Sequence, residues 1–203
     1  MARCNQPNRR DALRTIAAGA IGTAAASSWV DSLSALAQTH AHTRAAGAAI
    51  QPADWKPRVL SPRQNAAVVT LTDLIIPQTE TPGAKAVGVN RFIDGVLHEA
   101  SLTDRDKFLR GLAWMDERSR SLFGSEFVAA DAAQQTTLLT RMADEDTRAE
   151  EDQAGVEFFR AIKSMTISGY YTTEAGLRQE LGDDGRLAMA EFSGCDHPEH
   201  FDG

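Results

Sequence analysis

The chain has 203 residues, of which 42% are apolar and 24% charged, and its 28 acidic and 21 basic side chains give a formal net charge of −7. This composition is typical of an ordinary globular protein with one domain or two. The sequence has no run of about 20 apolar residues, so we expect no membrane-spanning helix and membrane association only through partners. The acidic balance, with scattered Lys and Arg, argues against nucleic-acid binding.

The N-terminal segment has the three parts of a bacterial export signal. Arg9 and Arg10 form an arginine pair near the start, and a weakly apolar stretch rich in Ala and Gly follows over residues 15–28. Ala35 and Ala37 then supply a small-x-small cleavage site. The arginine pair is typical of the twin-arginine (Tat) route, which exports proteins that are already folded.

We therefore predict a Tat signal over residues 1–37, cleaved after Ala37, with the Tat translocase as a partner and a periplasmic location. The alternative is an ordinary amphipathic N-terminal helix. Cleavage would remove Cys4 and leave Cys195 as one unpaired thiol in an oxidising compartment. Such a thiol is either buried and inert or paired with another chain.

The rest of the chain reads as helices separated by turns. Residues 38–59 lack a hydrophobic period and are predicted to be an extended leader. Ser61, followed by proline and then by Gln64, predicts a capped first helix that Pro77 ends. Apolar residues at helical spacing predict further helices, which begin near Val89, Thr103, Asp131, Gln153 and Thr172, with stops at Gly124, Gly169 and Gly182.

No segment shows the sustained alternation of a β-strand. The predicted fold is therefore all-α, a compact bundle of about five or six helices with an irregular N-terminal leader and an irregular C-terminal tail, and residues 60–203 form a single domain. The helical stripes place Leu74, Leu122 and Lys163 in register with the core residues. The acid-rich residues 144–157 are predicted to be a solvated linker and the acidic first turn of the next helix.

The C-terminal tail holds the most suggestive chemistry. Cys195, His197 and His200 are metal-ligating residue types within six positions, and a zinc or copper site is conceivable there. The alternative is an exposed polar tail. Cys195 near a chain end also suits an intermolecular disulfide, with a half-buried free thiol as the alternative.

Two further residues are candidate acid-base groups. Tyr170 lies at a turn between helices and His98 lies within a helix, and each is more simply explained as a structural or exposed residue. The sequence has no nucleophile elbow, phosphate-binding Gly loop or dinucleotide fingerprint after the signal. We therefore predict no catalytic and no cofactor-binding residues, which favours a subunit or binding module over an enzyme.

Several stretches together identify a family resemblance. They are LTDL at 71–74, IIPQTETPGA at 75–84, Gly88 and Val89 before Phe92, Ile93 and Asp94, then Phe158 and Phe159, GYYTTE at 169–174, and Gly194 with Cys195. With the Tat signal, this pattern resembles the gluconate 2-dehydrogenase subunit 3 family, the small subunits of periplasmic FAD-dependent sugar and polyol dehydrogenases.

The resemblance implies a non-catalytic chain whose partner is a large flavoprotein of the glucose-methanol-choline (GMC) class. That partner carries FAD and lacks its own signal, so the small subunit stabilises it and carries it through the Tat translocase. A multihaem cytochrome c subunit is a further expected partner. The implied interface residues are Pro77, Thr79, Pro82, Gly83, Tyr170, Tyr171 and Cys195, with Cys195 a candidate for an intersubunit disulfide. The alternative function is a stand-alone periplasmic metal-binding protein that uses the C-terminal Cys and His residues.

Overall fold

The computed structural model describes residues 28–45, 55–143 and 152–183, where the regular secondary structure is helical and no β-strand occurs. The α-helices within these ranges are α1 (Trp29–Ala45), α2 (Pro62–Ile75), α3 (Val89–Glu99), α4 (Leu102–Phe123), α5 (Ala132–Ala143) and α6 (Gln153–Tyr170). A 3₁₀ turn (Phe127–Ala129) precedes α5, and a π-helical turn (Ala175–Glu180) follows α6. The prediction of an all-α bundle is confirmed. Among the described helices, none has the length and apolar character needed to cross a bilayer.

Helix α6 is the centre of the bundle, because α1, α2, α3, α4 and α5 all pack against it. Its core face carries Phe158, Ile162 and Met165, which are fully buried. Glycines bring α4 and α6 unusually close. A Cβ atom added at Gly111 would lie 2.5 Å from the Phe158 ring, and one added at Gly155 would lie 2.2 Å from the Trp114 ring.

The predicted helix ends agree well with the structure. Ser61 and Gln64 form a capping box at the start of α2, and α2 ends at Ile75, two residues before Pro77. Asp131 and Gln134 exchange the same pair of hydrogen bonds before α5. Gly124 ends α4 in the left-handed conformation, at φ 77°. These caps are local, so the sequence alone specifies them.

The extended leader predicted over residues 38–59 is wrong for residues 38–45, which are the second half of α1. Helix α1 crosses the predicted cleavage position without a break and packs on α6 and α3. Its buried residues, at spacings of three and four, are Val30, Leu33 and Ala37. Short apolar and small side chains suit helix packing as well as a signal, which is why the sequence pattern favoured a signal over the alternative of an N-terminal helix.

Three residues assigned to core stripes are exposed instead. Leu74 is 36% and Leu122 is 38% exposed, and Lys163 also faces solvent. Leu122 lies near the end of α4, which is the longest α-helix among the described residues. The predicted end of α6, with Gly169 as its stop, lies two residues before the observed end of the helix. Gly169 packs against Phe92 and α6 continues to Tyr170.

The acid-rich segment is not a purely solvated linker. Asp152 is 1% exposed at the start of α6, where its carboxylate meets Arg118 of α4 and Arg141 of α5. Glu157 accepts a hydrogen bond from the Trp29 indole at 2.9 Å. The prediction of a solvated residue is therefore wrong for Asp152, which is buried as the N-cap of α6, whereas Glu157 is exposed within α6. Residues 144–151 lie outside the described residues.

Asp94 holds the chain that leads into α2. Its carboxylate, 1% exposed on α3, accepts backbone N–H bonds from Arg58 at 2.7 Å and from Val59 and Leu60 at 3.0 Å each. Three consecutive donors on one carboxylate replace the helix or sheet bonds that this irregular segment lacks.

Candidate functional site

Two of the predicted interface stretches meet in space. The loop over residues 77–83, which follows α2, lies against the C-terminal end of α6. The Tyr170 hydroxyl donates to the Pro82 carbonyl oxygen at 2.9 Å and lies 3.4 Å from the Thr81 hydroxyl. Because the Tyr170 side chain is fully buried, this contact fastens the 77–83 loop to the core.

The base of the 77–83 loop is closed by its own backbone. The Ala84 N–H donates to the Ile76 carbonyl at 2.9 Å. A Cβ atom at Gly83 would lie 2.5 Å from the Gln78 backbone nitrogen and 2.8 Å from the Pro77 carbonyl carbon, so only glycine fits. Pro77, Gln78 and Thr79 are nevertheless exposed. The loop therefore presents an accessible tip on a fixed base.

Tyr171 anchors the turn that follows α6. Its ring packs edge-on against Tyr170 at a centroid distance of 5.2 Å, and its hydroxyl donates to Glu180 at 2.8 Å. The Thr173 hydroxyl donates to the Tyr170 carbonyl at 2.6 Å and accepts from the Gly176 N–H at 3.2 Å. The 77–83 loop, the tyrosine pair and the π-helical turn therefore form one connected surface.

The two tyrosines are poor candidates for acid-base chemistry. Burial raises the pKa of Tyr170, and the hydrogen bond to Glu180, followed by burial, raises the pKa of Tyr171. Both phenols therefore stay protonated at neutral pH and act as hydrogen-bond donors. The Tyr170 hydroxyl already donates its hydrogen bond to the Pro82 carbonyl, and this bond has a structural role.

The sequence analysis did not assign the apolar side chains next to this surface to the candidate interface. Leu74, Ile75 and Ile76 lead directly into the 77–83 loop and are exposed or half-buried. Leu181 follows the π-helical turn and is 61% exposed. The apolar run 74–76 reads as core, and only its position at the end of a helix, where the bundle stops, could have indicated otherwise.

A cluster of charged side chains, separate from this surface, lies between α2 and the end of α4. Arg63 pairs with Asp116 at 2.9 Å and with Glu126 at 2.7 Å, and Arg120 also contacts Glu126 at 2.7 Å. The Arg120 hydrogen bond is the main cause of a lowered pKa at Glu126. Each charge in this cluster has an opposite partner, so the cluster reads as a surface ion-pair network that supports the fold.

The remaining predicted residues fall in two groups. Arg9, Arg10, Cys195, His197 and His200 lie outside the described residues. Ala35 and Ala37 lie on α1, the first exposed and the second buried.

His98 is exposed near the end of α3, where its carbonyl oxygen accepts from Arg105 at 2.8 Å. Over the described ranges, no three His, Cys, Asp or Glu side chains are grouped to hold a metal ion.

One comparison with known proteins gives a match. The sequence model of a family described as gluconate 2-dehydrogenase subunit 3 matches residues 62–184, which is more than half of the chain. The matched range begins with α2 and includes the 77–83 loop, both tyrosines and the π-helical turn. Helix α1 and Cys195 lie outside it. Searches of curated proteins and of solved structures return no match.

Proposed function

Because the chain belongs to the gluconate 2-dehydrogenase subunit 3 family, we propose that it is the non-catalytic small subunit of a periplasmic, FAD-dependent dehydrogenase. The enzyme would oxidise a sugar, a sugar acid or a polyol. The observation that carries the proposal is the 77–83 loop, which the family match includes and which Tyr170 holds in place with its tip exposed.

The proposed partner is a large GMC-type flavoprotein that binds the FAD, while this chain binds none. A multihaem cytochrome c subunit would accept the electrons. A loop that is ordered before binding loses little conformational entropy on association, which favours a stable complex. Obligate interfaces bury about 2,000 Å² or more, so the flanking apolar residues Leu74, Ile76 and Leu181 would add contact area around the loop.

The same proposal explains why the N-terminal segment has the features of an export signal. A flavoprotein folds around FAD in the cytoplasm, so it must cross the membrane folded. The arginine pair at Arg9 and Arg10 supplies a signal for that route, and the small subunit would carry its partner across. Binding would also stabilise the partner, since a ligand that binds only the folded state shifts the unfolding equilibrium.

The test is to co-express the full chain with the large subunit and to assay dye-linked dehydrogenase activity in the periplasm. Replacing Arg9 and Arg10 by Lys should confine the activity to the cytoplasm. Arg14→Lys is the matched control and should leave the periplasmic activity unchanged. Equal periplasmic activity without the small subunit, or with both arginines replaced, would refute co-export.

We also propose that Cys195 forms a disulfide with the large subunit after export. Non-reducing electrophoresis of the exported complex should show one band at the summed mass. Reduction or Cys195→Ser should separate the two chains. Two separate bands from the unreduced parent complex would contradict this link.

A further inference from the structure

Helix α1 is joined to the bundle by a continuous apolar stripe. Trp29, Val30, Leu33 and Ala37 are at most 9% exposed and lie on one face of the helix. They belong to the same hydrophobic core as Phe158, Ile162 and Met165 of α6. These four residues of α1 therefore belong to the core of the folded protein, although they lie within the predicted signal.

Polar contacts fasten α1 on both sides of the predicted cleavage position. Before it, the Trp29 indole N–H donates to Glu157 of α6 at 2.9 Å. After it, His40 Nε2 lies 2.8 Å from a Glu99 carboxylate oxygen of α3, and the His40 ring packs edge-on against Phe92. The two halves of α1 are thus held by different helices.

The Ala37–Gln38 bond lies in the middle of α1, and Ala37 is 0% exposed. Proteolysis favours exposed and extended segments, and a peptidase must open a helix to align the backbone in its active site. Cleavage there would require α1 to leave α6 first, and would then remove the Trp29, Val30 and Leu33 side chains from the core.

We propose that α1 is a permanent helix of the folded subunit and that the Ala37–Gln38 bond stays intact after folding. The exported protein then keeps Trp29–Ala45, and any processing occurs before Trp29. Where this concerns export, it rests on the proposed function. The permanence of α1 in the folded chain rests only on the contacts above.

The first experiment measures the intact mass and the N-terminal sequence of the small subunit isolated from the periplasm of cells that co-express both subunits. The expected chain retains residues 29–45. An N-terminus at Gln38 would overturn the proposal.

The second experiment distinguishes this inference from the export proposal, because it uses the full chain purified from the cytoplasm. Native-state hydrogen exchange should protect the amides of Leu33 to His40 at least tenfold over unstructured peptide. Exchange at the rate of an unstructured peptide would overturn the proposal even if export succeeds. Protection with no exported chain would support the helix and refute the export proposal.

Full-chain variants supply the matched control. Leu33→Asp introduces a charge on the buried face of α1, and Ala35→Asp introduces the same charge on its exposed face. Leu33→Asp should lower Tm clearly, whereas Ala35→Asp should leave it nearly unchanged. If Leu33→Asp does not fold, Leu33→Ala should still fold and show faster exchange across α1. Equal Tm values for the parent and both Leu33 variants would overturn the proposal.

Discussion

Asp94 and Tyr170 show how single buried polar side chains hold the irregular parts of this subunit. Asp94 accepts three backbone N–H bonds from the segment before α2, and Tyr170 donates one bond to the loop after it. Both residues lie in stretches that carry the family resemblance, but the sequence does not indicate their partners. Asp94 and Tyr170 find their partners 34 and 88 positions away, at Leu60 and Pro82, and no local pattern encodes such distances.

Asp94→Asn should destabilise the fold by about 1–3 kcal/mol, because the amide nitrogen cannot accept the bond that the second carboxylate oxygen accepts now. Urea unfolding of the full chain measures the change. Asp106→Asn is the control, since Asp106 pairs with Arg110 on the exposed face of α4 and such pairs contribute about 0.5 kcal/mol or less. Equal effects of the two substitutions would show that the three bonds at Asp94 add no stability.

Tyr170→Phe should change how stability depends on alkaline pH. The folded-state pKa of Tyr170 is raised, so its contribution is complete below the unfolded pKa of about 10 and is lost as pH rises through the folded value. Thermal unfolding between pH 7 and 11 should show the parent losing stability more steeply than Tyr170→Phe above about pH 10. Tyr171→Phe is the comparison for the half-buried neighbour, whose hydroxyl donates to Glu180 and not to the 77–83 loop. Parallel curves for the parent and Tyr170→Phe would contradict the assignment.

Among the helices, the ends and the caps follow from local sequence, while the faces do not. Ser61, Asp131 and Gly124 act within three or four residues of their own positions, so their roles could be predicted. Leu122 could not be placed, because the length over which a helix stays covered depends on its neighbours. The sequence favoured a signal over a helix at the position of α1 for a related reason, since small apolar residues occur both in export signals and in packed helices.

Asp152 links the start of α6 to α4 and α5, so removing its carboxylate should lower the stability of more than one helix contact. Its carboxylate lies 3.0 Å from Arg118 Nε and 3.4 Å from Arg141 Nε. Asp152→Ala should cost about 3 kcal/mol, because it leaves the largely buried Arg118 without this partner.

Urea unfolding measures that cost, with Glu174→Ala as the control. Glu174 and Arg178 form an exposed pair within one turn, so the control should change stability by about 0.5 kcal/mol or less. A similarly small effect at Asp152 would show that the three-helix link is not a stabilising contact.

On the scale of the whole subunit, the family resemblance and the fold class could be predicted, but the shape of the candidate interface could not. The stretches 75–84 and 169–174 both belong to the resemblance, and only the packing of α2 on α6 brings them together. The closure of the 77–83 loop at Gly83 depends on backbone atoms five and six positions earlier. The exposure of the loop tip depends on where the helices of the bundle end.

Thr79→Arg, at the exposed tip of the 77–83 loop, should weaken binding to the large flavoprotein subunit at least tenfold, which is about 1.4 kcal/mol. The reason is that a bulky charge would be buried without a partner in the proposed interface. Surface plasmon resonance with the purified large subunit measures the Kd. Thr137→Arg on the exposed face of α5 is the matched control and should bind like the parent. Unchanged binding by Thr79→Arg would place the interface elsewhere.

The fixed 77–83 loop has a kinetic consequence for assembly. A binding element that is already ordered in the free subunit needs no rearrangement after the encounter, so the two subunits should associate as nearly rigid bodies. Stopped-flow traces should then follow a single exponential whose rate rises linearly with partner concentration. Freeing the loop by Tyr170→Phe should add a slow, concentration-independent phase, and the rearrangement of the loop would then limit the rate at which the proposed complex forms.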